Sequence, residues 1–250
     1  VYGVFYVSFL EAFGWTRATT AGAISLSVVF EGLSFPVVGS LTDRLGPRRT
    51  LSLGGVVLVL GIGLSATISS LWELYLWLGI VTAAGMGMIG MVPHVSVLSR
   101  EFSERRGTVL GFAYAGGGFG ILLMVPLAQV MISLWGWPFA YIGLAVITAF
   151  LVIPPTLIFL PPASDNPAAP TKKTDIEEVQ EKPTDWTVGQ ALGTSAFWLL
   201  FGARVLASMG NQVIVTHQVA HAVDVGYTKL FAASIFGMMG VCSIFGRVYF

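Results

Sequence analysis

The chain has 250 residues, 55% of them hydrophobic and 10% charged, with a mean hydropathy of +0.80. A soluble domain carries about 25% charged residues, so this chain lacks the material to coat a water-facing surface. Thirteen basic residues balance thirteen acidic ones; with no net field for a polyanion, a nucleic-acid binder is excluded along with an ordinary soluble enzyme. The lone Cys242 supports neither a disulfide framework nor a metal cluster. The composition is that of a polytopic membrane protein.

A bilayer core of about 30 Å takes roughly 20 apolar residues per helical crossing. The apolar run at 1–10 is too short for that and reads as the tail of a first helix. Helices follow near 18–40, 50–70, 73–98, 108–134 and 138–160. Residues 161–194 break the pattern: Pro, Ala, Lys, Asp and Glu dominate, and apolar content collapses from Pro161 to Pro183, as in a solvated linker. Two more helices are expected at 195–223 and 226–250. The organisation expected is therefore an N-terminal six-helix bundle over 1–160 with its first helix incomplete, a linker over 161–194, and the start of a C-terminal bundle over 195–250. The chain opens at Val1 rather than Met and closes at Phe250 without a polar segment, so both ends are expected to be cut, and no signal peptide is inferred.

Counting Lys and Arg between helices sets the orientation. Arg44, Arg48, Arg49, Arg100, Arg105, Arg106, Lys172, Lys173 and Lys182 fall on one side; Arg17 and Lys229 fall on the other. The split alternates correctly with the helix order and makes the linker cytoplasmic, in a multi-pass protein of the cell (inner or plasma) membrane.

The strongest local motif is Gly39-Ser-Leu-Thr-Asp43-Arg44-Leu-Gly46-Pro-Arg48-Arg49. It reads as a tight cytoplasmic turn, with Gly39 allowing close helix approach, Asp43 facing a helix N-terminus and the arginines at the headgroup boundary. Read blandly, it is a positive-inside loop. The pattern resembles the signature loop of the major facilitator superfamily, which implies a gating element at Gly39, Asp43, Arg44, Gly46, Arg48 and Arg49. Three further stretches narrow the resemblance: Glu11-Ala-Phe-Gly14-Trp15-Thr16-Arg17; Phe102 through Arg105-Arg106 to Gly116-Gly-Gly-Phe-Gly120; and His217-Gln-Val-Ala-His221-Ala-Val-Asp224-Val-Gly226 followed by Gly246-Arg247. Together they resemble the monocarboxylate transporter family, in its bacterial and archaeal branch, which also holds oxalate/formate antiporters. The resemblance implies an all-α membrane protein of twelve helices in two halves, of which this chain carries a remnant of helix 1 through helix 8.

Arg247 falls inside an apolar helix, where inserting an arginine costs about 2.5–3.5 kcal/mol, so it should face a cavity or a partner. Its guanidinium fork matches a carboxylate with two parallel hydrogen bonds; the plainer reading pairs it with a backbone carbonyl. The resemblance implies that Arg247 binds the substrate carboxylate. Animal relatives place an aspartate one turn earlier, where this chain has Ser243. Glu31 also lies within an apolar helix; it is either a proton-coupling carboxyl or a packed, interhelically bonded one. Arg204 reads as snorkelling to the interface.

His217 and His221 share a helix face. No third ligand accompanies them and Gln218 replaces a metalloprotease glutamate, so no metal is expected. His217 is a polar lining residue or a packing one, and His221 and Asp224 belong at the outer mouth. Phe112 and Tyr114 either present aromatic surface to a substrate or pack the core, with Met86 and Met88 weaker candidates. Gly85-Met-Gly87-Met-Ile-Gly90 spells a dinucleotide fingerprint, but inside an apolar helix it reads as small residues for close packing, as does the Gly116/Gly120 pair; no cofactor is expected. The expected function is secondary active transport of small monocarboxylates such as lactate or pyruvate, without enzymatic activity, by alternating access and driven by H⁺ or an exchanged anion. The alternative is an oxalate/formate-type organic anion antiporter. The partners are then the small organic anion, the coupling ion and the lipid bilayer, with no nucleic acid.

Overall fold

Helix follows helix along the described residues of the computed structural model, which are 2–101, 106–160 and 188–249, and no strand occurs among them. Arg105 and residues 161–187 of the expected linker, with Lys172, Lys173 and Lys182, lie outside the described residues, as do the side chains of Arg100, Arg106 and Arg247. Among the described residues seven helices are long and apolar enough to cross a membrane: Arg17–Leu45, Pro47–Thr67, Leu71–Leu98, Gly107–Trp135, Trp137–Phe159, Ser195–Asp224 and Lys229–Gly246. These are the seven full spans that the apolar pattern predicts. Two compact units form, one of Val1–Ala163 with Thr216–Phe250 and one of Ser164–Val215.

In the larger unit, α1 (Tyr2–Phe13) stops at Gly14, whose φ of +64° suits a residue without Cβ. Helix α2 (Arg17–Leu45) starts on Thr16, whose hydroxyl accepts from the Thr19 amide at 3.2 Å and fills one of the first turn's open donors. It then runs five residues beyond the expected end at 40. Gly39 to Leu45 are therefore helical, and the expected gating loop reduces to one non-helical residue, Gly46, before α3 (Pro47–Leu64) begins. Gly46 has φ 81° and ψ 157°, a region essentially confined to glycine, and Pro47 fits the first helical position because its missing N–H would be unpaired there anyway. The same device joins α7 (Arg106–Trp135) to α8 (Trp137–Phe159): Gly136 takes φ 82° and ψ 165°, and Pro138 follows in the first turn.

The expected helix over 73–98 is broken into four pieces: α4 (Leu71–Leu74), a π-wound stretch (Tyr75–Thr82), α5 (Ala83–Met88) and α6 (Met91–Glu101). The Thr82 hydroxyl donates to the Trp77 carbonyl five residues back at 2.7 Å, supporting the wider turn. Pro93 cannot donate to the Ile89 carbonyl, so the helix restarts after Gly90 with Pro93 inside its first turn. The fingerprint-like glycines do pack closely: a Cβ on Gly85 would meet the Leu58 backbone of α3, and one on Gly87 would meet the Ser34 side chain of α2. Tyr75 donates to the Thr19 carbonyl at 2.9 Å, with Gly22 making room for the ring, and Tyr2 donates to the Leu78 carbonyl at 3.3 Å.

Phe5, Phe9, Ala128, Met131, Tyr141 and Leu144 form the buried centre of this unit. Phe13 and Trp15 stack across Gly14 with centroids 4.3 Å apart, and Phe9 and Trp137 extend the aromatic group. Large apolar side chains such as Leu33, Phe150 and Phe159 stay exposed, as suits a surface facing lipid. The smaller unit holds α9 (Val188–Leu192) and most of α10 (Ser195–Asp224). There the Trp198 indole donates to the Leu192 carbonyl at 2.9 Å and Thr194 accepts from the Phe197 amide. Arg204 is exposed in this unit.

Candidate functional site

Helix α11 (Lys229–Tyr249) runs antiparallel to α7, and glycine sets how closely they approach. A Cβ on Gly240 would run into the Gly118 carbonyl oxygen and the Leu122 amide; one on Gly118 would run into Gly240 and Ile244. Gly237 lies against Leu122 and Pro126, the proline inside α7. Gly116 and Gly120, the pair expected to mediate packing, have open space where a Cβ would stand. The working glycine of that cluster is Gly118, two residues from each, because a step of two residues turns about 200° around a helix and so faces nearly the opposite side.

This contact fixes where the sequence-predicted residues lie. Tyr114 is one turn from Gly118 on the same face, half-buried, with its hydroxyl donating to the Met91 carbonyl at 3.4 Å. Ser243 is half-buried in α11 beside Ile244, and the backbone of Arg247 continues that helix. Continued one turn, the antiparallel register sets Tyr114 level with Arg247. Phe112 lies off the contact, 62% exposed on the face it shares with Phe119 and Leu123.

His217 and Glu31 belong to other contacts. His217 is exposed, and its ring stands perpendicular to that of buried Tyr6 at 5.8 Å between centroids, which joins α10 to α1. Glu31 is half-buried in α2; the Cβ position of Gly87 in α5 lies near its side chain. Among the described residues it has no ion-pair partner.

Of the expected gating residues, Arg48 donates to the Leu157 carbonyl in the last turn of α8 at 2.8 Å, a favourable place for a cation at a helix C-terminus. Asp43, Arg44 and Arg49 are exposed, and among the described residues none of them forms an ion pair. The opposite end of the helices is paired. Arg17 donates two hydrogen bonds to Asp224, at 2.7 and 2.9 Å, and Lys229 donates to Glu11 at 2.6 Å. The sequence placed Arg17 and Lys229 on one side and Asp224 at the same mouth, but not these partners. The two motifs hold Glu11, Arg17 and Asp224, and Lys229 lies three residues beyond the second of them.

A cavity of about 420 Å³ lies among α1, α3, α5, α7 and α8, with Phe5, Leu58, Thr82, Met86, Tyr141 and Thr148 in its wall. Among the described residues no charged one lines it, so these residues offer a carboxylate no ionic partner there. Metal-ligand clusters of three or more His, Cys, Asp or Glu are absent among the described residues.

Seven apolar helices of spanning length, two pairs of them joined through a single glycine, are the architecture of a multi-pass membrane protein. The sequence model of the Major Facilitator Superfamily matches residues 1–250, and the chain belongs to that superfamily. It is 28% identical over 247 residues to monocarboxylate transporter 13 of Rattus norvegicus, covering 99% of this chain and 55% of that protein. It is 30% identical over 227 residues to monocarboxylate transporter 11 of Homo sapiens, covering 90% of this chain and 45% of that protein. The oxalate:formate antiporter of Oxalobacter formigenes is 27% identical over 216 residues, covering 85% of this chain and 49% of the antiporter. The chain spans about half the length of these curated relatives.

Proposed function

We propose that this protein carries small monocarboxylates across the cell membrane by alternating access, coupled to H⁺. The observation that carries this reading is the similarity to a monocarboxylate transporter along 99% of the chain. Residues 1–160 form the first bundle, 161–194 a cytoplasmic linker and 195–250 the start of the second bundle, with α7 and α11 meeting between the bundles.

In this reading Arg247 captures the substrate carboxylate through its two-pronged guanidinium, while Tyr114, Ser243, Phe112 and His217 line the route. The level register of Tyr114 and Arg247 across the α7–α11 contact supports placing an aromatic hydroxyl beside the captured anion. Ser243 carries no charge, so the coupling proton is assigned to Glu31, the intramembrane carboxyl left without an ionic partner among the described residues. Gly39, Asp43, Arg44, Gly46, Arg48 and Arg49 act as the cytoplasmic gate.

The test is uptake of labelled lactate by the full-length protein in proteoliposomes, with and without an inward proton gradient. Gradient-stimulated uptake that pyruvate competes away is the expected result. Uptake that appears only when another anion is loaded inside would replace this reading with the antiporter one. Inactivity of folded protein in both formats would overturn the substrate class.

A further inference from the structure

Two stretches that hold none of the residues assigned to the carboxylate site are brought together: Glu11 to Arg17 at the α1–α2 joint, and Asp224 to Lys229 at the α10–α11 joint. Both ion pairs found among the described residues connect these joints, Arg17 with Asp224 and Glu11 with Lys229, across 207 and 218 residues of sequence. Each joint contributes one acid and one base, so each is neutral by itself and the pairs cross between them. The joints are held in place for this. Gly14 ends α1, Phe13 stacks on Trp15, and buried Tyr6 donates to the Arg17 carbonyl at 3.1 Å while its ring packs perpendicular to that of His217. On the other side Gly226, at φ 103°, turns the chain sharply between Asp224 and Lys229.

We propose that Glu11–Lys229 and Arg17–Asp224 form an ionic latch that holds the outward-facing end of the two bundles shut and is released when that end opens; this rests on the transporter reading. All four side chains are substantially exposed, between 43% and 62%, and exposed ion pairs are individually weak. Weakness is what a latch needs: it biases the population of closed molecules without locking them. Because each joint is neutral, separating them leaves no repulsion or net attraction between the parted bundles beyond the lost pairs. Among the described residues the opposite end, at Asp43 and Arg44, has no ion pair to match, so the described ion pairs stand on the side proposed to be closed.

The experiment measures the distance between spin labels on Ala12→Cys and Val225→Cys in full-length protein, in a background that replaces Cys242 and any other native cysteine, without substrate. The unaltered latch should give mainly short distances. Reversing Asp224→Arg and Lys229→Glu together sets like charges opposite each other and should raise the long-distance population severalfold. Adding Arg17→Asp and Glu11→Lys re-forms both pairs with opposite polarity and should restore the short distances. An unchanged distribution in the double reversal, or a fourfold variant that stays open while melting like the parent, overturns the latch. Should the reversal fold poorly, Asp224→Asn with Lys229→Gln removes both pairs without repulsion, and unchanged distances there overturn it equally. The readout needs no transported substrate, so a protein inactive toward lactate still reports on the latch, and an active protein with unmoved distances sinks the latch alone.

Discussion

Gly118 and Gly240 meet backbone to backbone: the space that a side-chain carbon on Gly240 would occupy is already filled by the Gly118 carbonyl oxygen and the Leu122 amide. Close approach of this kind is how helices associate where lipid removes the hydrophobic drive between them. The contact joins helices more than a hundred residues apart, and the rest of the α7–α11 packing is arranged around it.

Adding a methyl at this crossing forces the two helices apart. Gly118→Ala and Gly240→Ala should each destabilise the full-length protein by about 1–3 kcal/mol through overpacking. Gly116→Ala and Gly120→Ala, with open space at the added carbon, should be neutral or stabilise by up to about 1 kcal/mol as alanine replaces glycine in a helix. Thermal unfolding in detergent separates the two pairs.

The single-residue joints give a second prediction. Gly46→Ala and Gly136→Ala place a Cβ at φ 81° and 82° with ψ near 160°, at a cost of about 1–3 kcal/mol each. Thermal unfolding detects this against Gly32→Ala, a helical glycine with no neighbour within 4 Å of its added carbon. A Gly46 variant as stable as the parent would show that the joint relaxes.

For transport, Arg247→Lys keeps the charge and loses the second prong. If one charge-assisted hydrogen bond of about 1.5 kcal/mol is lost, the lactate KM should rise about tenfold. Native-rate uptake at unchanged KM would mean that Arg247 does not grip the carboxylate with both prongs.

Glu31→Gln tests the coupling role separately from binding. Gradient-driven lactate uptake should be lost while lactate–lactate exchange, which needs no net proton movement, persists. Retained stimulation by the gradient assigns the proton elsewhere and leaves Glu31 as a packing residue between α2 and α5.

The spans were legible because each needs about 20 apolar residues, a signal that survives any tertiary detail. Their interruptions were harder to read. Gly90 and Pro93 announce a break, but the π winding over Tyr75–Thr82 depends on where the Thr82 hydroxyl finds its acceptor, which periodicity does not encode. The motif from Gly39 to Arg49 was recognised but read as a loop, because Asp, Arg, Gly and Pro together usually mark turns; the helix absorbs all but Gly46. In the glycine cluster of α7 the pattern named Gly116 and Gly120, whereas the partner's approach angle selects Gly118. The ion pairs were hidden for a different reason. Orientation counting treats Arg17 and Lys229 as isolated interfacial cations, and their acids sit at the far end of the sequence.

Gly46 alone separates α2 from α3, so the joint has no slack. One inserted residue would rotate α3 by about 100° about its axis relative to α2, turning Leu51 and Leu58 away from the interior and toward lipid. A substitution at Gly46 strains one residue, whereas an insertion or deletion re-faces a whole helix, so the length of this joint is constrained more tightly than its composition.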